Sequence, residues 1–333
     1  MFTDKLMKNP LVVESGINRR SFLTGATMFG LGAATTAIID GCGGGTHSMT
    51  VPPPVSAAAS TDTAANILTA ALIAESLAIT TYYTALSTQA VITDPNLAGP
   101  GGTAISVSAN GSQINVAYLQ GALLEEVSHA QTLRSLLGLA TNGSGDAAAG
   151  IPQTFYYPSG TFSSLSSFLP VLLALETAFI GAYMTAVEEF ASMAAGYNGF
   201  STTQENPASS GANLTQADLI LYAKVASSIL GVESEHRALV RAIPSVTLES
   251  PNYAGINLIP ANNVNYESSD SFTGLITSVS GDSNTTAAAA LTPFIAAGTN
   301  SDSITTVATQ ASFSSVVSAS VAANVTGSIP VAE

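Results

Sequence analysis

The sequence predicts an all-α protein built on a four-helix bundle with a long crossover between helices. Three observations lead to this prediction. Four long segments carry apolar side chains at helical spacing. Capping residues or glycines stand at several of their ends. Glutamates and histidines recur within the apolar faces, in the same order in both halves of the chain.

Residues 1–42 are predicted to be an export signal. Arg19 and Arg20 precede a modestly apolar run, and together they resemble a twin-arginine signal. The run ends at Cys42 in a pattern similar to a bacterial lipoprotein processing site, where the cysteine becomes the lipidated first residue. Asp40 is unusual in such a site, so a plain signal or an uncleaved helix stays open. Either way, the protein is expected in the bacterial periplasm or cell envelope.

Residues 43–60 are predicted to be a tether between this signal and the folded body. They consist largely of Gly, Ser, Thr, Ala and Pro, a composition that suits a semi-rigid linker. Cys42 is the only cysteine in the chain, so an intramolecular disulfide is impossible.

The bundle is predicted over residues 61–244. Helix A lies between residues 62 and 89, and helix B from about 113 to 137 before Gly138, which is placed to end it. Helix C runs from about 164 to 195.

Helix D begins at Thr215, because Asp218 three residues later completes a capping-box pattern, and ends before Pro244. Beyond it, residues 245–333 are rich in Ser, Thr and Ala. We predict short helices and loops packed on the bundle there, with apolar stretches around Leu275 and at 287–297. A flexible tail is the alternative.

Composition excludes several classes of protein. With 46% hydrophobic and 9% charged residues, the chain is not a disordered acidic segment. A net charge of -14 with few, scattered Lys and Arg excludes a nucleic-acid partner. Helices B and D carry several charges each, and each charge costs about 2.5–3.5 kcal/mol near a bilayer centre, so they cannot span a membrane. Membrane attachment is expected only through a lipid on Cys42.

Two glutamates lie where a charge is costly. Glu75 and Glu176 each stand inside an otherwise apolar helical segment. A buried carboxylate persists when it is paired, binds a metal or is protonated. Taken singly, each fits a protonated, hydrogen-bonded core residue as well as a ligand.

The histidines favour the ligand interpretation. His129 follows Glu126 by three residues, and His236 follows Glu233 by three, so each pair shares one helix face. Both pairs fall on apolar faces. The order Glu, Glu-x-x-His, Glu, Glu-x-x-His is an internal repeat of two helix pairs, and it matches the di-metal carboxylate arrangement of helical bundles.

On these residues the chain resembles the ferritin-like superfamily over about residues 62–243. The stretch from Glu176 to Tyr183 is most similar to its exported, desiccation-related branch. The resemblance implies that Glu126 and Glu233 bridge two metal ions. It implies the following six ligands: Glu75, Glu126, His129, Glu176, Glu233 and His236.

Carboxylate and imidazole ligands favour two Fe or two Mn ions, with Zn open from residue type alone. The implied chemistry is oxidation of Fe(II), or reaction with O2 or peroxide. Tyr82 and Tyr183 are candidates to hydrogen-bond the ligands or to relay an electron, the alternative being core packing. Arg237 is a candidate partner of Glu233, the alternative being an exposed charge. A second functional hypothesis is a structural, desiccation-protective envelope protein whose metal site is a buffer or vestigial.

Overall fold

The computed structural model describes residues 62–98, 114–196, 204–243, 272, 274–276, 286–298, 300–306 and 316. These residues are mostly helical and belong to one compact unit, residues 53–333. Arg19, Arg20 and Cys42 of the predicted signal, and the tether, lie outside the described residues. The elements, in chain order, are α1 Ala64–Leu86, α2 Gln89–Ile92, α3 Ile114–Leu136, β1 Thr154–Tyr157, α4 Leu165–Ala195, α5 Gln216–Ala242, α6 Ala287–Ile295 and β2 Asp302–Thr305.

The four predicted helices are confirmed as α1, α3, α4 and α5, with ends within a few residues of those expected. Side-chain oxygens cap three of them. Thr63 and Ser164 accept backbone N–H groups of α1 and α4. The capping box of Thr215 and Asp218 is present at the start of α5. Gly196 ends α4 at φ +72°, a left-handed conformation that glycine adopts without strain.

The long helices pack in pairs. α1 packs mainly against α3, and α4 against α5, while smaller contacts join α1 to α4 and α3 to α5. Their facing sides are aliphatic with a few aromatic rings. Hydroxyl groups that are buried in α1, such as those of Ser76 and Thr80, donate to carbonyls one turn back. Apolar residues from the four helices therefore surround the polar atoms that are buried at the centre of this core.

The segments after α5 attach to the long helices. The backbone N–H of Leu275 donates to Glu189 on α4 at 2.9 Å, and that of Ile276 donates to Asp62 before α1 at 2.8 Å. α6 packs on α1, α4 and β1. Strands β1 and β2 form an antiparallel pair in which Phe155 faces Ile304. The short helix at 287–295 was predicted, whereas this two-stranded sheet was not.

A buried ion pair lies just beyond α3. The guanidinium of Arg134 donates to both oxygens of the Asp146 carboxylate, with the shortest contact at 2.6 Å. Both side chains are almost fully buried. Two parallel bonds of this kind fix the orientation of both groups, so the pair holds the loop after α3 against the helix.

Two of the described helices, α1 and α4, are long and apolar enough to cross a membrane by length and composition alone. Both bury much of their surface against other helices. A buried core helix passes the same test, so apolarity by itself does not place either helix in a bilayer.

Candidate metal centre

The structure brings all six predicted ligands together. Glu75 lies on α1, Glu126 and His129 on α3, Glu176 on α4, and Glu233 and His236 on α5. None is more than 5% exposed. The i, i+3 spacing places each Glu-x-x-His pair on one face of its helix, and both pairs point into the space between the helices.

Two overlapping groups of side chains result, and they share Glu126 and Glu233. Within each group the nitrogen and oxygen atoms that can bind a metal lie within 4.8 Å of one another. The first group adds Glu75 and His129 to the shared pair, and the second adds Glu176 and His236. These buried groups can each hold a metal ion.

The distances show how the shared carboxylates face both groups. In the first group, His129 Nδ1 lies 3.4 Å from Glu126 Oε2 and 3.6 Å from Glu233 Oε1. In the second, His236 Nδ1 lies 3.0 Å from Glu126 Oε1 and 3.7 Å from Glu233 Oε2. Each shared carboxylate thus presents one oxygen to each histidine.

The inward-facing atoms of this cluster make no hydrogen bond of regular geometry with the described residues, although His236 Nδ1 and Glu126 Oε1 are 3.0 Å apart. They are one oxygen each of Glu75 and Glu176, both oxygens of Glu126 and Glu233, and Nδ1 of His129 and His236. Buried polar atoms nearly always have a partner, because leaving one unsatisfied costs about 1–3 kcal/mol. A group of so many buried oxygen and nitrogen atoms in one place fits a metal-binding role, because all of them can bind a cation through a lone pair.

Two tyrosines hold the remaining carboxylate oxygens. The hydroxyl of Tyr82 donates to Glu176 Oε1 at 2.5 Å, and that of Tyr183 donates to Glu75 Oε1. Each bond crosses between α1 and α4, and each leaves the second oxygen of its glutamate facing the cluster. The two tyrosines therefore bond predicted ligands, and their rings are also buried in the core.

Burial and mutual repulsion shift the protonation equilibria of this cluster. Burial, followed by neighbouring carboxylates, raises the pKa of Glu126, Glu176 and Glu233. Burial alone would lower the pKa of both histidines, but the surrounding carboxylates outweigh it and raise the pKa of His129 and His236 well above the ordinary value. Without a cation, the cluster therefore retains protons that a bound metal would displace.

The structure contradicts one of the two expectations for Arg237. Only 4% of its surface is exposed, so the interpretation as an exposed charge is wrong. Its side chain is therefore buried on α5 rather than extended into solvent.

Glu125 is a functional candidate that the sequence reasoning missed. Its carboxylate lies 2.7 Å from His236 Nε2, on the side of the ring away from the cluster. Such a carboxylate holds the second ring nitrogen protonated and leaves Nδ1 free to bind a metal. About half of the Glu125 side chain is exposed, 49%, so it resembled a surface charge in the sequence. Its position directly before Glu126 was the available signal.

Replacing Glu125 by Ala is expected to weaken metal binding by about 10–100-fold, because His236 would lose the bond that orients it. Titration of the metal-free protein with Fe(II) or Mn(II) measures the change. The Glu235→Ala variant, which removes an exposed carboxylate next to His236 in the sequence, is the matched control and should bind metal as the wild type does. Equal affinities in all three proteins would show that Glu125 does not orient the histidine.

The fold and the cluster define a class: a mainly α-helical protein whose long helices enclose a buried carboxylate and histidine cluster that can bind metal. No protein-family model, no curated protein and no solved structure matches the chain.

Proposed function

We propose that the four long helices form a ferritin-like four-helix bundle holding two Fe or two Mn ions, and that the protein performs redox chemistry with O2, peroxide or Fe(II). The observation that supports this proposal is the pair of ligand groups sharing Glu126 and Glu233, whose inward-facing atoms lack partners among the described residues. This is the arrangement of di-metal carboxylate bundles.

Charge favours two divalent ions over one. Four ionised glutamates with two neutral histidines carry four negative charges, which two divalent cations would neutralise. One cation would leave two negative charges, which the apolar core would tolerate only if two protons stayed on the cluster. Glu126 and Glu233 would bridge the ions, while Glu75 with His129 and Glu176 with His236 would complete each site.

Two Fe or Mn ions, once bound, would supply electrons to O2 or peroxide, or accept electrons from peroxide. The protein's own residues set the conditions for this chemistry. Tyr82 and Tyr183 orient the terminal carboxylates, and burial with the adjacent carboxylates raises their pKa values, so both remain protonated donors at neutral pH. The aliphatic side chains around the cluster exclude bulk water from it.

We further propose that the protein acts outside the cytoplasm, exported through the Arg19 and Arg20 signal and attached to the membrane by a lipid on Cys42. A twin-arginine route transports folded proteins, so metal could be loaded before export. Mass spectrometry of the protein isolated from a bacterial envelope tests this, since a lipidated chain would begin at Cys42.

Elemental analysis of the purified protein tests the metal proposal. We expect about two Fe or Mn per chain in the wild type and a loss of most of this metal in the Glu126→Ala/His129→Ala variant. The control is Glu188→Ala/Glu235→Ala, which removes two exposed carboxylates from the long helices and should retain the metal.

If the wild type binds no metal even after reconstitution with either ion, the six residues are a buried polar network. The structural, desiccation-protective role would then be favoured. If metal is bound, consumption of O2, decay of peroxide and oxidation of Fe(II) by the wild type distinguish the three redox reactions. The double variant supplies the background rate.

A further inference from the structure

An apolar cavity of about 80 Å³ lies between α1, α4 and α6. Seven of its twelve lining residues are alanines, contributed by all three helices, and the others are Ile, Leu and one Tyr. Protein interiors are normally close-packed, with few voids larger than a water molecule. Small side chains facing each other from three helices explain why this space is unfilled.

Tyr183 connects the cavity to the acidic cluster. Its ring lines the cavity, while its hydroxyl donates to Glu75 in the first ligand group. One side chain therefore separates the cavity from the cluster. Tyr82, the corresponding tyrosine of the second group, does not line the cavity and packs against the His236 ring at 5.9 Å between centroids. The cavity thus adjoins one half of the cluster only.

The lining indicates what the cavity can hold. The side chain of Tyr183 is the one polar side chain among the lining residues, and its hydroxyl is engaged with Glu75. An ion or peroxide would lose its hydrogen bonds to water on entering, without replacement. Apolar cavities of about 150 Å³ stay dry and bind benzene or xenon, so roughly half that volume suits xenon or about three to four carbon atoms.

The cavity is not sealed from solvent. Ala288 and Ile295 of α6, both lining residues, are partly exposed on the outer side, whereas Ala74 and Ala186 are buried on the inner side. The cavity therefore extends from the partly exposed side of α6 to the ring of Tyr183. α6 thus forms the outer wall of the cavity.

We propose that this cavity is a binding site for a small uncharged alkyl group, placed beside the first ligand group with Tyr183 between them. The position beside a metal centre rests on the proposed function, whereas the cavity and its lining do not. The site gives the proposed redox centre a substrate class: a small hydrocarbon, or the short alkyl end of a larger molecule.

Binding of xenon, followed by 129Xe NMR on the full chain, tests the proposal. Xenon should bind to the wild type whether or not metal is present. Propane should displace it, and acetate, of similar size but charged, should not. The Ala71→Leu variant fills the cavity and should bind xenon at least tenfold more weakly. Ala65→Leu enlarges another half-buried alanine of α1, outside the cavity, and should bind xenon as the wild type does.

Loading with Mn(II), which is paramagnetic, separates the two parts of the proposal. Broadening of the bound xenon resonance in the loaded protein would place the cavity beside the metal. If the protein binds xenon but cannot be loaded with metal, the proposed function is overturned and the cavity site stays in place. Metal binding without xenon binding, or equal xenon affinity in Ala71→Leu, would overturn the cavity proposal alone. The Tyr183→Phe variant keeps the ring and should still bind xenon.

Discussion

The Glu233→Gln variant is expected to be more stable than the wild type without metal, by about 1–3 kcal/mol, and unable to form the metal centre. Neither oxygen of Glu233 has a hydrogen-bond partner among the described residues, and the neighbouring Glu126 carboxylate repels it. Gln has the same shape without the charge, and its amide can donate to the remaining carboxylates. Urea unfolding in the presence of a chelator measures the gain in free energy of unfolding.

With saturating Fe(II) or Mn(II) the order should reverse. The wild type gains the free energy of metal binding, about 4.1 kcal/mol at one thousand times the dissociation constant, which exceeds the advantage of the variant, and the variant gains little. Glu235→Gln is the matched control, because this exposed carboxylate lies two residues away on the same helix. If Glu233→Gln lowers stability without metal and metal stabilises neither protein, the cluster is a structural network and the proposed centre is wrong.

Much of the fold was predictable because its signals are local. Apolar residues recur every three or four positions along each long helix and form one face of it. Caps such as Thr215 with Asp218 lie within one turn of the start of their helix. The cluster was predictable for a different reason: a carboxylate in an apolar segment is conspicuous in a chain with 9% charged residues. The repeated Glu-x-x-His spacing then indicated that the glutamates meet.

The features that the sequence did not predict depend on contacts between residues that lie far apart in the sequence. β1 and β2 are four residues each and pair across about 150 positions, so neither carries a local pattern that marks its partner. The bond between Glu125 and His236 joins two helices, and its carboxylate is half-exposed. Arg134 appeared as one of a few scattered charges, because nothing near it in the sequence indicated that Asp146 would fold back onto it.

Stability should depend on pH with opposite sign in the metal-free and metal-loaded proteins. In the metal-free protein, burial and neighbouring carboxylates raise the pKa of Glu126, Glu176 and Glu233 above 4.5. Nearby carboxylates raise the pKa of both cluster histidines above 6.5 despite burial. A group whose pKa is higher in the folded state holds its proton more tightly there, so its stabilising contribution is complete below the unfolded value and is lost as pH rises through the folded value.

We therefore expect the free energy of unfolding of the metal-free protein to fall as pH rises above 4.5, and to keep falling above 6.5. The slope is about 1.4 kcal/mol per pH unit for each additional proton bound by the folded state. With metal bound the slope should be positive below about 6.5, where the unfolded chain still binds protons on these residues, and level off above it, because the ligands bind metal in their deprotonated forms. Urea unfolding at several pH values between 5 and 8, about the range of greatest stability for most proteins, measures both slopes.

The surface also contributes to the metal-free slope, because a net charge of -14 repels itself more strongly as pH rises. The Glu126→Gln/Glu233→Gln variant isolates the cluster, since it removes two buried carboxylates and leaves the surface unchanged. Without metal, the free energy of unfolding of this variant should fall less steeply with pH than that of the wild type, because Glu126 and Glu233 no longer contribute. Adding metal should no longer change the sign of the slope. Identical slopes in the two proteins would mean that the buried carboxylates are ionised in both the folded and the unfolded states, contrary to their raised pKa values.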